Sequence, residues 1–403
     1  MNGCVIPGTG IAVDYWKVHT DTKYFFLTHL HGDHVVGLTS TWRYPIYCSS
    51  VTAELLAERY GVDRDLLRSL EVGQSHIVPP EQQQQCLPSM TVTVIDANHC
   101  PGAVMFLFEG HFGKILYTGD FRYKPCMVDR GSPLASHLGK VDKLYLDNTY
   151  CSSKCVFPTR EEALEEIVSI VRKHNDYDIL LGLRKLGKEE LVARLALTLN
   201  EWVSVSSERL SVAMYRELPD VFEANQPNLR IRVVPFESVT AKYMQKLNEA
   251  KPTIAILPTA LFQGIAGRRS AKSPHIFTVP YSDHSSYPEL MEFVSKVRPA
   301  EVVPIVRAGK VGGVDLSNRT DMSCFSRFLR KTRPRPDQYE NTGTVQADSA
   351  ASPHPADNPL SSSAAHRTRN GPLKRRRSKP WQVQRKRKSC PKGAIYLSDD
   401  DGD

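Results

Sequence analysis

Three histidines and an aspartate fall within six residues, His29-Leu30-His31-Gly32-Asp33-His34, directly after the apolar run Tyr24-Phe25-Phe26-Leu27. The apolar run reads as a buried strand, so the imidazoles and the carboxylate converge where the backbone has just been fixed. His29 and His31 are two residues apart, so both rings can point the same way from an extended segment, and neutral imidazole suits a borderline cation such as zinc. Histidine makes up only 13 of 403 residues, which makes an accidental cluster of this kind rare.

The same arrangement recurs along the chain. Thr91 to Asp96 leads into Ala97-Asn98-His99-Cys100-Pro101-Gly102, Lys114 to Tyr117 leads into Thr118-Gly119-Asp120, and Lys143 to Leu146 leads into Asp147-Asn148-Thr149. A lone strand-end His or Asp is usually a turn former. Four such ends together describe one chemical edge fed by several strands.

Asp14 in Ile11-Ala12-Val13-Asp14, the cluster His29 to His34, His99 and Asp120 resemble the four successive motifs of the metallo-β-lactamase fold. Asp147 and the segment Pro280-Tyr281-Ser282-Asp283-His284-Ser285-Ser286-Tyr287 resemble the first two motifs of its nucleic-acid-processing β-CASP branch. The phrases Asp96 to Gly102, Thr118-Gly119-Asp120-Phe121-Arg122 and Leu144 to Thr149 are similar to the DNA-repair nucleases of that branch. The start Met1-Asn2-Gly3 and Leu186-Gly187-Lys188-Glu189 are most similar to its 5′ exonucleases. The resemblance covers about the first 320 residues.

It implies an α/β fold, a metallo-β-lactamase αββα sandwich with an inserted β-CASP α/β domain. Residues 1–150 would form the first part of the sandwich, 151–278 the insertion, 279–325 the return and 326–403 a disordered basic tail. Within 151–278, Glu161 to Lys173 and Glu189 to Trp202 have helical apolar spacing, and Asp178 to Leu181 and Thr253 to Pro258 read as buried strands. Strand and helix elements near Glu301 to Val306 would rejoin the first domain.

The resemblance also implies one or two divalent ions, zinc at the first position and a second bound more weakly. His29, His31, His99 and Asp120 would make the first set, and Asp33, His34 and a bridging Asp120 the second. Asp14 would orient a ligand histidine and Asp147 would orient His284. His284 would protonate the leaving oxygen or hold a phosphate, and the sequence leaves both open. Ser282, His284, Ser285 and Lys188 would form a pocket for a terminal 5′-phosphate. RNA-processing members carry a metal-binding histidine where this chain has Val306, which favours DNA. Cys100 reads as a buried small residue.

Charge is concentrated in the tail: residues 331–403 hold 15 Lys or Arg against 8 Asp or Glu, +7 of the total +8, so the body is nearly neutral. A grip on nucleic acid must therefore come from a local groove. Lys374-Arg375-Arg376-Arg377 and Arg385-Lys386-Arg387-Lys388 read as a bipartite nuclear-import signal, which implies an import receptor as a partner. Nine cysteines without a paired framework, no secretory leader and no membrane-length apolar stretch point to a reducing intracellular compartment and no membrane partner.

The expected activity is metal-dependent 5′-to-3′ DNA exonuclease in the nucleus, on single strands or 5′-phosphorylated ends, serving telomere end processing and crosslink repair. A structure-dependent endonuclease and a noncatalytic metal-stabilised scaffold are the alternatives. Telomeric members of the branch dock on a telomere-repeat-binding factor through a Tyr-x-Leu-x-Pro peptide, which Tyr396-Leu397-Ser398-Asp399 does not match.

Overall fold

The computed structural model describes residues 3–79, 89–260, 273–307, 310–311, 314–315 and 317–331. The import signal, the Tyr396 segment and most of the tail lie outside the described residues.

Two sheets face each other across an aromatic core. The first runs in the order β1 (Cys4–Ile6), β2 (Ile11–Val13), β3 (Tyr24–Phe26), β4 (Ile46–Ser49) and β5 (Leu67–Leu70). The second contains β6 (Ser75–Val78), β7 (Met90–Asp96), β8 (Val104–Gly110), β9 (Gly113–Tyr117), β10 (Lys143–Leu146) and, at its far edge, β17 (Glu301–Pro304). The last strand pairs parallel with β10, bringing the chain back after the insertion. Phe26 of the first sheet meets Phe106 and Phe108 of the second at ring separations of 5.1 and 4.9 Å. Such tilted aromatic pairs add about 0.5–1.5 kcal/mol each beyond their buried area.

Helices cover the outer faces. α1 (Ser50–Tyr60) starts at Ser49, whose hydroxyl accepts from Thr52 N–H, and packs Leu55 and Leu56 with Phe25, Leu27 and Ile46. α6 (Tyr287–Val297) packs Leu290, Phe293 and Val294 against Leu116, Leu144 and Leu146. Its start is fixed by a capping box between Ser286 and Glu289.

The insertion is a third sheet, all parallel: β13 (Phe222–Ala224), β12 (Val203–Val205), β14 (Ile231–Pro235), β11 (Asp178–Leu183), β15 (Thr253–Pro258) and β16 (Ile276–Val279), in that order. β11 and β15 are buried at every residue, as expected for central strands covered on both faces. α2 (Arg160–Lys173) leads into the sheet, and among the described residues α3 (Glu189–Leu199), α4 (Ser207–Tyr215) and α5 (Ala241–Ala250) connect its strands. α3 stops before the expected Trp202 because Asn200 turns left-handed, φ 55°, and its N–H closes on Ala196 and Leu197 carbonyls. Among the described residues no helix is long and apolar enough to cross a membrane.

Candidate metal centre

The ends of β2, β3, β7, β9 and β10 deliver Asp14, His29 to His34, His99, Asp120 and Asp147 to one edge of the sandwich. Close packing is needed there. Gly119 has φ +54° and a Cβ would lie 2.8 Å from Thr28, so only glycine lets Asp120 follow β9 this near to β3.

His31 Nδ1 lies 3.2 Å from His29 Nε2 and 3.0 Å from His99 Nε2. The outward nitrogen of each ring is already committed. His31 Nε2 donates to Leu186 O at 3.2 Å and His99 Nδ1 to Asp283 O at 2.8 Å, because a carbonyl can only accept. His29 Nδ1 donates to the Thr28 hydroxyl at 2.9 Å, which itself donates to Asp14 Oδ2 at 2.6 Å. Three lone pairs therefore converge on one point, an arrangement that repels without a cation and binds one well.

Asp120 stands beside this group. Its Oδ2 is 3.6 Å from His29 Nε2, 3.7 Å from His99 Nε2, 3.3 Å from His34 Nε2 and 3.9 Å from His284 Nε2. One carboxylate oxygen thus sits between the His29/His99 pair and the His34/His284 pair. Asp120 Oδ1 is buried without a hydrogen-bond partner among the described residues, and His34 Nε2 lies off the line of a hydrogen bond. Orphaned buried polar atoms are costly unless something outside the chain satisfies them, and a divalent cation fits this donor set of imidazoles and carboxylate.

The electrostatics point the same way for the first set of ligands. Burial pulls the His29, His31 and His99 imidazoles below their ordinary range, keeping them neutral and able to ligate. Burial opposes ionisation of Asp120, yet His34 and His284 hold its carboxyl well below the usual range. Burial also acts on His284, but Asp147 and Asp120 outweigh it and push the imidazole up to about 9.

Around the centre, Asp14 accepts from Thr28 N–H (2.7 Å) and His34 Nδ1 (2.8 Å), from a left-handed backbone at φ 53°. Asp147 Oδ2 accepts from His284 Nδ1 at 2.8 Å. Asp33 is the open member, with a side chain 53% exposed and Oδ2 3.8 Å from His34 Nε2. Val306 offers no ligand; its backbone is pinned at both ends by the Asn148 amide. The Cys100 thiol lies within reach of the His29, His31 and His99 nitrogens, and burial pushes it well above its usual range, which disfavours the thiolate a metal needs.

The serines of the expected phosphate pocket have partners within the chain. Ser282 Oγ donates to His284 O, and Ser285 Oγ donates to Phe121 O while accepting from Tyr123 N–H. Both are buried and their protons are committed, so they shape the loop that carries His284. Lys188 Nζ pairs with part-buried Asp283, which also takes Arg160 at 3.2 Å. Burial opposes ionisation of Asp283, but Lys188 and Arg160 hold its carboxyl far below the usual range. No role for Asp283, Arg160 or Thr28 was legible from their positions in the chain. The short hydroxyl beside a ligand histidine and an acid between two serines and a histidine were the available signals.

Over residues 21–151 the sequence matches the family described as "Metallo-beta-lactamase superfamily", and over 216–310 the one described as "DNA repair metallo-beta-lactamase". It is 31% identical over 351 residues to the "DNA cross-link repair protein SNM1" of Arabidopsis thaliana, covering 81% of this chain and 69% of that protein. The chain belongs to the DNA-repair metallo-β-lactamase family. This family member is also 49% identical over 317 residues to the "5′ exonuclease Apollo" of Mus musculus, covering 77% of its own length and 56% of that protein. Against the Gallus gallus protein of the same name the values are 47% over 310 residues, 76% and 64%. The chain spans about half the length of the Mus musculus relative it matches.

Proposed function

We propose that this chain is a metal-dependent 5′-to-3′ DNA exonuclease acting in the nucleus, at telomeric ends and at crosslink damage. The observation that carries the reading is the placement of Asp120 Oδ2 between two histidine pairs, with its second oxygen buried and unpartnered. The 5′ polarity and the repair setting are drawn from the names of the related proteins.

His29, His31, His99 and Asp120 would hold the first ion, zinc in our reading, and Asp33, His34 and Asp120 a second and weaker one. Divalent ions at such a centre supply Lewis-acid charge for water activation and for the phosphoryl oxygens. The chain's own groups do the rest. His284, held at Nδ1 by Asp147, keeps Nε2 toward the reacting edge and delivers a proton to the departing 3′ oxygen. Lys188, at the start of α3, would meet a terminal 5′-phosphate together with Ser282, His284 and Ser285 of the neighbouring loop. The partners would be single-stranded or 5′-phosphorylated DNA and, through the tail, an import receptor. A telomere-repeat-binding factor would be a further partner, although Tyr396-Leu397-Ser398-Asp399 does not match the Tyr-x-Leu-x-Pro peptide.

Digestion of 3′-labelled single-stranded DNA, with and without a 5′-phosphate, tests this. A ladder shortening from the 5′ end, faster with the phosphate, is expected, and replacing Asp33 and His34 together by Ala abolishes it while leaving the melting temperature within a few degrees. Internal cuts would make the chain an endonuclease. Full activity in the double variant removes the metal assignment.

A further inference from the structure

The two hydrogen bonds from His31 and His99 to Leu186 O and Asp283 O come from outside the sandwich: both carbonyls belong to segments that follow strands of the inserted sheet, β11 and β16. Leu186 lies in a turn, Arg184 to Glu189, whose backbone is unusual. Gly187 has φ +106° and Lys188 φ +66°, two left-handed residues in succession. A methyl group on Gly187 would lie 4.0 Å from His31 Nε2 and 3.7 Å from Cys100 Cβ, so the turn runs flat against the metal ligands. Such a conformation persists only where its surroundings over-determine it.

What over-determines it is a guanidinium from α4. Arg209, 4% exposed, donates to Gly187 O at 2.8 Å, to Glu189 Oε1 at 2.5 Å and to Arg184 O, spanning the turn from end to end. Glu189 Oε1 in turn accepts from Gly187 N–H at 3.1 Å. The Leu186 side chain is buried with Leu30 of the sandwich and Val212 of α4. The same turn also reaches the second carbonyl, since Lys188 pairs with Asp283. A buried Arg–Glu pair contributes little stability that an apolar pair would not. An apolar pair could not hold two backbone carbonyls.

We propose that Arg209 is a positioning residue for the metal centre: by fixing the Arg184–Glu189 turn it keeps Leu186 O on His31 Nε2 and so holds His31 Nδ1 toward the ion. The inference rests on the metal reading above and extends it to the inserted domain, which becomes part of the outer shell that sets ligand tautomers.

The test is zinc affinity of the full chain, measured by competition with a chromophoric chelator, for the wild type, Arg209→Met, Arg209→Lys and the control Arg232→Met. Arg232 lies in the same inserted sheet and pairs with Asp178. Arg209→Met is expected to bind zinc about 10–100-fold more weakly. Arg209→Lys should fall between it and the wild type, and Arg232→Met should stay within about twofold of the wild type even where its melting temperature drops. Wild-type affinity in folded Arg209→Met overturns the positioning role alone, as does an equal loss in Arg232→Met, which would make the effect one of general destabilisation. A wild type that binds no zinc overturns the metal reading and this role with it. Where Arg209→Met does not fold, nitrogen-15 spectra of the zinc-loaded wild type decide: His31 protonated at Nε2 supports the role, and protonation at Nδ1 overturns it.

Discussion

Two strand edges meet at this centre and contribute opposite chemistry. The sandwich edge brings imidazoles and carboxylates, His29, His31, His34, His99, Asp120 and Asp147, nearly all buried, with His34 held directly and His29 through Thr28 by the Asp14 carboxylate. The carboxyl ends of the inserted β11 and β16 bring cations and backbone carbonyls: Arg184 and Lys185 exposed, Lys188 paired with Asp283, and the oxygens of Leu186 and Asp283. The first edge fixes where an ion would sit. The second would cover it, orient two of its ligands and present positive charge to a polyanion. Damage to the first should therefore appear in metal binding and turnover, and damage to the second in substrate affinity, except at the turn clamped by Arg209, where it reaches the ion through His31.

The sharpest way to break that division is Asp14→Asn. Asparagine tolerates the left-handed backbone at φ 53°, so the change isolates charge and hydrogen bonding from backbone strain. An amide cannot satisfy the three donors now served by the Asp14 carboxylate, Thr28 N–H, the Thr28 hydroxyl and His34 Nδ1. Zinc affinity and turnover should fall together by about 10–100-fold, with KM for DNA within about threefold. A variant that loses DNA affinity but keeps its metal would show that the two edges are not separable.

The sandwich edge was legible because each functional group follows its strand directly in sequence, as Asp120 follows Gly113–Tyr117 and Asp147 follows Lys143–Leu146. A continuous apolar run and the abrupt polar residue after it sit within one short window. The inserted edge was not, for two reasons. A carbonyl carries no residue identity, so nothing in Leu186 announces a partner for His31. The guanidinium that holds it comes from Arg209, which the chain brings back only after α3 and β12. At Ser285 the hydroxyl has the right chemistry for a phosphate, and only the tertiary fold reveals Phe121 O and Tyr123 N–H as its partners.

A smaller effect is expected at Lys185, exposed in the turn beside Leu186. Lys185→Ala should raise KM for single-stranded DNA by about two- to fivefold and reduce the slope of log affinity against log salt by about 0.7, the contribution of one phosphate contact on a single strand. Turnover at saturation should not change. A fall in kcat with an unchanged salt slope would move Lys185 from substrate grip to the reacting edge and blur the contrast between the two.

The smallest effect lies at the opposite end of the inserted sheet, where β11 begins. Asp178 pairs with Arg232 at 2.9 Å and with Lys251. Burial there opposes ionisation, but Lys251 and Arg232 together hold the carboxyl below the usual range. A depressed folded-state pKa means that the unfolded chain binds more protons in the acid range. The stabilisation is therefore present in full above the ordinary carboxylate value of about 4 and is lost as pH falls through the folded value. Asp178→Asn should lower the melting temperature at pH 7 by a few degrees and flatten its decline below about pH 4. Zinc affinity and cleavage measured well below the melting temperature should match the wild type, because this pair sits at the amino end of the strand whose carboxyl end carries the Arg184–Glu189 turn. Loss of zinc affinity in Asp178→Asn would mean that strain travels the length of β11, and the inserted sheet would then act on the centre as a whole rather than through one clamped turn.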